Sequence, residues 1–222
     1  MKKILSALLG LLLASTAWSL ELTVFGGDNS PPKMYLQDGK SRGILIDILQ
    51  YADQELATDE LRIERYPWAR AYRYASGGVG GIVGLSWTQE RSTLFDYSDP
   101  VYVDDVVIVV RKDKQFSFKE LADLQGKRVG LGRGGSYGEA FEKAREAGLF
   151  VVDGDVGATD RINKLVLGRL DCALFNAGKA GFEELLRGNK TLDGLRDTLV
   201  VLPVPLRSDP NFLAFPKSMQ MK

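Results

Sequence analysis

Apolar positions in this 222-residue chain follow two rhythms. Residues 22–25, 61–66 and 82–87 are short runs rich in strand-forming side chains. Between them, apolar residues recur at helical spacing over 43–56 and 68–75. Ile44, Ile46, Ile48, Leu49, Ala52 and Leu56 carry the first helical pattern, and Gly77-Gly78 closes the second. Residues 26–32, rich in turn formers, read as a loop. Strands and helices alternating at this spacing predict a parallel sheet with helices on its faces. A second run of the same kind starts at strand 106–111. Ser117-x-x-Glu120 reads as a capping box opening a short helix. Then come a strand at 127–131, a glycine-rich turn at 132–138, a helix at 139–147, a strand at 149–152, a helix at 161–167 and a strand at 171–175. The expectation is an α/β protein of two units of similar size, joined near 99–105. A last apolar segment, 199–204, is read as returning to the first unit.

The N-terminus has a different design. Lys2 and Lys3 precede an almost wholly apolar stretch, 4–14, and then small residues with Ala17 and Ser19 in an Ala-x-Ser arrangement. That is the three-part plan of a signal peptide, and the apolar stretch is short for a membrane span. Residues 1–19 are therefore expected to be a leader cleaved near Ser19. The most apolar later run, 101–110, is interrupted by Asp104 and Asp105. Cys172 is the single cysteine, so no internal disulfide can form and no cysteine at the cleavage site can take a lipid. Export without lipid or disulfide points to a Gram-negative periplasm. Cys172 itself, in an apolar run, reads as a small buried hydrophobe.

Charge and composition remove several classes of function. The chain has 29 basic and 29 acidic residues, with no basic stripe of the kind nucleic acid requires, so no nucleic-acid partner is expected. Histidine is absent, so a transition-metal site would rest on carboxylates, and no metal or other cofactor is expected. Ser-His and Cys-His nucleophiles lack their base.

Ligands of open parallel sheets sit beyond the carboxyl ends of strands. Here those ends carry Ser86-Trp87-Thr88, the turn from Gly132 to Gly138, and Asn176-Ala177-Gly178. Thr88 is placed as an N-cap, which puts Arg91 one turn into a helix. From there it either presents a fixed fork to a carboxylate or makes an ordinary surface pair with Glu90 or Asp96. The glycine turn, with Gly135 and Ser136, either offers backbone amides to an anion or serves only to link strand to helix. It lacks the Gly-Lys-Ser/Thr ending of a phosphate loop. Tyr66, Trp68 and Tyr137 are aromatics that either stack on a ligand or pack in a core.

Motifs spread along the chain resemble those of the family 3 bacterial solute-binding proteins, the polar-amino-acid receptors of ABC importers. Gly43-Ile44-Leu45-Ile46-Asp47-Ile48 is similar to the family's opening helix. Thr88-Gln89-Glu90-Arg91 followed by Phe95-Asp96-Tyr97-Ser98-Asp99-Pro100-Val101-Tyr102 is similar to its most recognisable segment. Leu121-Ala122-Asp123-Leu124-Gln125-Gly126-Lys127-Arg128-Val129-Gly130 and Gly168-Arg169-Leu170-Asp171 match its second-lobe signatures. The resemblance implies a two-lobed, type II periplasmic-binding-protein-like fold. Lobe 1 would be 20–103 with 199–222 and lobe 2 would be 104–198, meeting across 99–105 and 204–209 and closing on a cleft. It implies Arg91 as the grip on a ligand α-carboxylate, Ser86 as a nearby ligand-binding serine, and Ser136 with its turn as a second hold on the same carboxylate. The ligand-binding set expected is Arg91, Ser86, Ser136, Gly135, Asn176, Trp68 and Tyr137, with no catalytic residue.

The departures from the family bear on specificity. Asn176 follows Asp171-Cys172-Ala173-Leu174-Phe175 where the family places an aspartate for the ligand's α-ammonium. An amide there forfeits about 1–2 kcal/mol, the margin of a charge-assisted bond. Ser30-Pro31-Pro32 stands where an aromatic is expected, and Gly80 where many relatives carry aspartate. Relatives normally continue with closing helices after the segment matching Phe215-Pro216-Lys217, whereas this sequence runs only to Lys222. The resemblance implies a monomer that captures a small polar, carboxylate-bearing solute for an inner-membrane ABC permease. Two rivals share the fold: a sensory receptor, and a dehydratase of cyclic carboxylates using Glu139 or Asp155.

Overall fold

The computed structural model describes residues 21–55 and 60–221. The expected leader, with its expected cleavage near Ser19, and Leu56 of the first expected helix lie outside the described residues. Among the described residues no helix is long and apolar enough to cross a membrane.

The first unit contains β1 (Glu21–Gly27), the hairpin β2 (Tyr35–Gln37) and β3 (Lys40–Arg42), α1 (Ile44–Glu55), β4 (Glu60–Tyr66), α2 (Trp68–Ser76), β5 (Gly81–Ser86) and α3 (Gln89–Leu94). A 17-residue strand, β6 (Phe95–Arg111), leads into the second. That unit contains β7 (Arg128–Gly132), α4 (Glu139–Glu146), β8 (Val151–Asp155), α5 (Ala158–Val166), β9 (Cys172–Phe175), α6 (Gly178–Arg187), α7 (Lys190–Asp193) and β10 (Leu199–Val201). The chain then returns through β11 (Arg207–Pro216). The main sheet runs β4-β1-β5-β11-β6-β9-β7-β8, with β10 beside β6. β1 is parallel to β4 and β5, and β7 is parallel to β8 and β9, as strand–helix alternation requires. The α/β, two-lobed architecture expected from the sequence is the one observed. Antiparallel β6 and β11 join its halves.

Each half buries apolar side chains on both faces of its strands. In the first, Phe25, Ala71, Ile82 and Phe95 pack on one face, and Val24, Met34, Leu45 and Val83 on the other. In the second, alternation along β6 sends Val106, Ile108 and Val110 to one cluster and Val107 and Val109 to the other. Cys172 is fully buried, and burial pushes its thiol up to about 12, which fits a packing role.

Three expectations shift. Strand 106–111 is only the end of β6, whose first half is masked in sequence by Asp96, Ser98, Asp99 and Pro100. Pro100 has no N–H to give and stands opposite Phe212, between two register shifts in the ladder. Segment 199–204 does not return to the first unit. Leu199–Val201 pairs with residues 109–111 of β6, and Leu199 and Leu202 fill the two clusters of the second unit. The return is made by Arg207–Pro216. The capping box also moves: Glu120, not Ser117, is the N-cap of a short 3-10 turn, and the Asp123 carboxylate accepts from the N–H groups of Lys119 and Glu120 at 2.7 and 3.1 Å.

Ile108 is wholly buried on the strand shared by both halves, whereas Val103 of the same strand is exposed. Ile108→Ala is expected to lower unfolding free energy by about 2–5 kcal/mol. Val103→Ala is expected to change it by less than about 0.5 kcal/mol. Urea unfolding midpoints check both.

Candidate functional site

The carboxyl ends of β1, β5, β7 and β9 turn toward one another, and the loops beyond them enclose a cleft of about 370 Å³. Arg91, Ser86, Trp68, Gly135, Ser136, Tyr137 and Asn176 all line it.

Arg91 is set by the start of α3. The Thr88 hydroxyl accepts from the Arg91 N–H at 3.0 Å, the capping that the sequence pattern predicts. The Arg91 side chain is buried. Its Nη1 donates to the Ser86 carbonyl at 3.1 Å, its Nη2 donates to the Gly134 carbonyl at 3.0 Å, and the guanidinium lies 5.0 Å from the centre of the Tyr72 ring. Neither Glu90 nor Asp96 pairs with it; Asp96 lies beside Lys217 instead. Among the described residues Arg91 has no carboxylate partner.

Ser86 ends β5, and its hydroxyl donates to Asp209 Oδ2 at 2.6 Å. Asp209 of β11 is 1% exposed and is paired across the β6–β11 ladder with Asp104 of β6, itself buried. Asn211 ties this floor together. Its Nδ2 donates to the Asp209 carbonyl at 2.7 Å and to Asp104 Oδ1 at 3.2 Å, and its Oδ1 accepts from Lys33 Nζ at 3.1 Å. Lys33 Nζ also lies 2.7 Å from Asp104 Oδ2, and Arg207 Nη2 lies 3.1 Å from Asp209 Oδ1. Those two outer oxygens are held by charge rather than by well-directed hydrogen bonds. Burial pushes the Asp104 carboxyl above its ordinary range, and the neighbouring Lys33 ammonium pulls against that rise.

The second unit contributes the turn between β7 and α4. Gly134 has φ of +76°, a conformation that side chains resist, and its carbonyl accepts from Trp68 Nε1 at 2.9 Å as well as from Arg91. Trp68 and Arg91 of the first unit thus meet one oxygen of the second. The Gly135 N–H donates to the Gly132 carbonyl at 3.1 Å, so that amide closes the turn. Ser136 is buried against the cleft. Tyr137 is 3% exposed, its ring packs 5.5 Å from Phe141, and its hydroxyl accepts from the Gly132 N–H at 2.8 Å. Tyr137 thus packs in the core of the second unit while also lining the cleft. Asn176 follows β9 and is half-buried at the cleft. On the opposite side α6 approaches the first unit closely: a Cβ on Gly181 would stand 2.6 Å from the Pro31 carbonyl oxygen.

Sequence reasoning missed Lys33, Asp209, Asn211 and the bidentate pair of Arg161 with Asp155, at 2.8 and 2.9 Å. The available signal was an ionic side chain inside a run otherwise fit for burial, as with Asp104 within 101–110. Gly80, where aspartate was expected, packs on β1; a Cβ there would lie 2.5 Å from the Thr23 carbonyl oxygen.

Residues 22–210 match the family model of the bacterial extracellular solute-binding proteins, family 3. The L-cystine-binding protein TcyJ of Escherichia coli (strain K12) is 30% identical over 157 residues, covering 70% of this chain and 58% of that protein. The ABC transporter arginine-binding protein 1 of the same organism is 36% identical over 56 residues, 25% of this chain. This chain spans 22% of the length of the arginine-binding relative, so it matches a little over half of one curated relative and about a fifth of the other. A mutant of ArgBP from T. maritima superposes with a TM-score of 0.73 at 25% identity, covering 90% of this chain and 83% of that one. The chain belongs to the bacterial extracellular solute-binding proteins, family 3.

Proposed function

We propose that this chain acts in the periplasm as a monomer that captures a small polar, carboxylate-bearing solute, an amino acid or a close relative, and presents it unchanged to an inner-membrane ABC permease. Arg91 carries the reading. A guanidinium has five donors in a planar fork. Here it is buried in the lining of a two-sided cleft, it has no acid partner among the described residues, and two backbone carbonyls hold it in place. A carboxylate is the group that such a fork fits best.

Binding without turnover is supported by the state of the two groups that a dehydratase would use. Asp155 is 3% exposed and locked to Arg161 on both oxygens. Glu139 is exposed on the surface, 3.3 Å from Lys143, and is not part of the cleft lining. A general acid or base must reach the substrate with a proton to exchange, and neither residue offers that.

Thermal unfolding with a panel of carboxylates tests the assignment, with arginine and L-cystine included because relatives are named for them. A ligand at a hundred times its Kd adds about 2.7 kcal/mol to stability. Arg91→Ala is expected to abolish the ligand-dependent rise in Tm, and a full shift in that variant would remove Arg91 from the site. Trp68→Phe keeps the ring and loses the bond to Gly134. Calorimetry should find it roughly three- to tenfold weaker in ligand affinity, the worth of one hydrogen bond.

A further inference from the structure

We propose that Lys33 makes the cleft select carboxylate ligands bearing a second hydrogen-bond acceptor, an acidic or amide side chain, over basic ones. The inference rests on the carboxylate reading of Arg91 and concerns what else the ligand must carry.

Lys33 lines the cleft and is 7% exposed. Its ammonium has three N–H donors. Asn211 Oδ1 accepts one at 3.1 Å, and Asp104 Oδ2, 2.7 Å from Nζ, is the charge partner that a second N–H faces. The third has no acceptor among the described residues. A buried charged donor left unmatched is costly, so the cleft side of Lys33 favours an acceptor.

Ser86 has the opposite polarity. Its one proton goes to the Asp209 carboxylate, which has none to return, so toward the cleft Ser86 presents lone pairs. Arg91 touches the Ser86 carbonyl, Asn211 touches the Asp209 carbonyl, and Lys33 touches Asn211. The floor therefore reads donor at Arg91, acceptor at Ser86 and donor at Lys33. Its complement is a carboxylate, then an N–H or O–H, then a second acceptor.

A cationic side chain finds no comparable place. Of the acids lining the cleft, Asp155 is taken by Arg161, and Asp209 by Ser86 and Arg207. Asp28 is exposed at the rim, where water screens it. A second ammonium or guanidinium set beside Lys33 would meet like charge in a partly dry cleft.

Isothermal titration of the whole protein with L-glutamate, L-glutamine, L-leucine and L-arginine tests this. L-Glutamate or L-glutamine should bind about tenfold or more tightly than L-leucine or L-arginine, the scale of one hydrogen bond to a charged group. Lys33→Met alone strands the buried Asp104 charge and risks unfolding, so Lys33→Met with Asp104→Asn is the variant to compare. After circular dichroism shows it folded, the ratio of the L-leucine Kd to the better of the L-glutamate and L-glutamine Kd values should fall by about tenfold. Tighter binding of L-arginine or L-leucine by the unaltered protein overturns the role of Lys33 and leaves the carboxylate reading standing. So does an unchanged ratio in the double variant, which would mean that water meets the third donor. No binding of any of the four overturns both.

Discussion

Asp104 and Asp209 face one another across the two strands that join the halves of the molecule, and both are almost wholly withdrawn from solvent. Like charges directly opposed in a ladder repel. Removing the partner of a buried ion costs about 3–5 kcal/mol. The chain answers with Lys33 from the loop after β1 and Arg207 from the first position of β11, and Asn211 bridges the two acids. Three stretches distant in sequence are thereby fixed to one another at the base of the cleft. The polarity of the floor is a consequence of that neutralisation: the orientation of the Ser86 hydroxyl and the direction of the Lys33 ammonium both follow from where the two carboxylates lie.

The second half balances its charge in the same way, with different parts. Arg161 takes both oxygens of Asp155, donates to the Leu174 carbonyl and lies 4.8 Å from the centre of the Phe175 ring. Each wall thus carries its own counter-ion, and Arg91 is the buried guanidinium left over among the described residues. Asn176 adds no charge to this balance. An amino group on the ligand that loses a charged partner at Asn176 would meet the Ser86 oxygen, whose proton already points at Asp209.

Periodicity made the parallel strands and the helices between them legible, because each is half-buried and shows its apolar face in its spacing. The motifs Thr88-Gln89-Glu90-Arg91 and Asp171 to Phe175 brought Arg91 and Asn176 to the cleft. The crossing strands were hidden for a physical reason. Their middle sections carry Asp, Ser and Pro and are held by a backbone ladder and by ion pairs, neither of which leaves a hydrophobic rhythm. Segment 199–204 is apolar on both faces, so its composition says that it is buried without saying in which half. Lys33 was hidden for a related reason: a lysine beside two prolines reads as loop surface, and only the distant Asp104 and Asn211 make it a buried cation.

The glycine turn shows how a correct placement can conceal a different use. Glycines before a helix suggested backbone amides offered to an anion. In the structure the Gly135 amide closes the turn, and it is the Gly134 carbonyl that faces the first unit, accepting from Arg91 and Trp68. A carboxylate arriving at Arg91 therefore meets a guanidinium with two of its N–H groups already engaged and three free. One of those engaged groups reaches across to the other half. The same cation that would hold the ligand also holds the halves together, so ligand binding and closure share an energy term at Arg91. Trp68 supplies a second, independent bond to the same carbonyl.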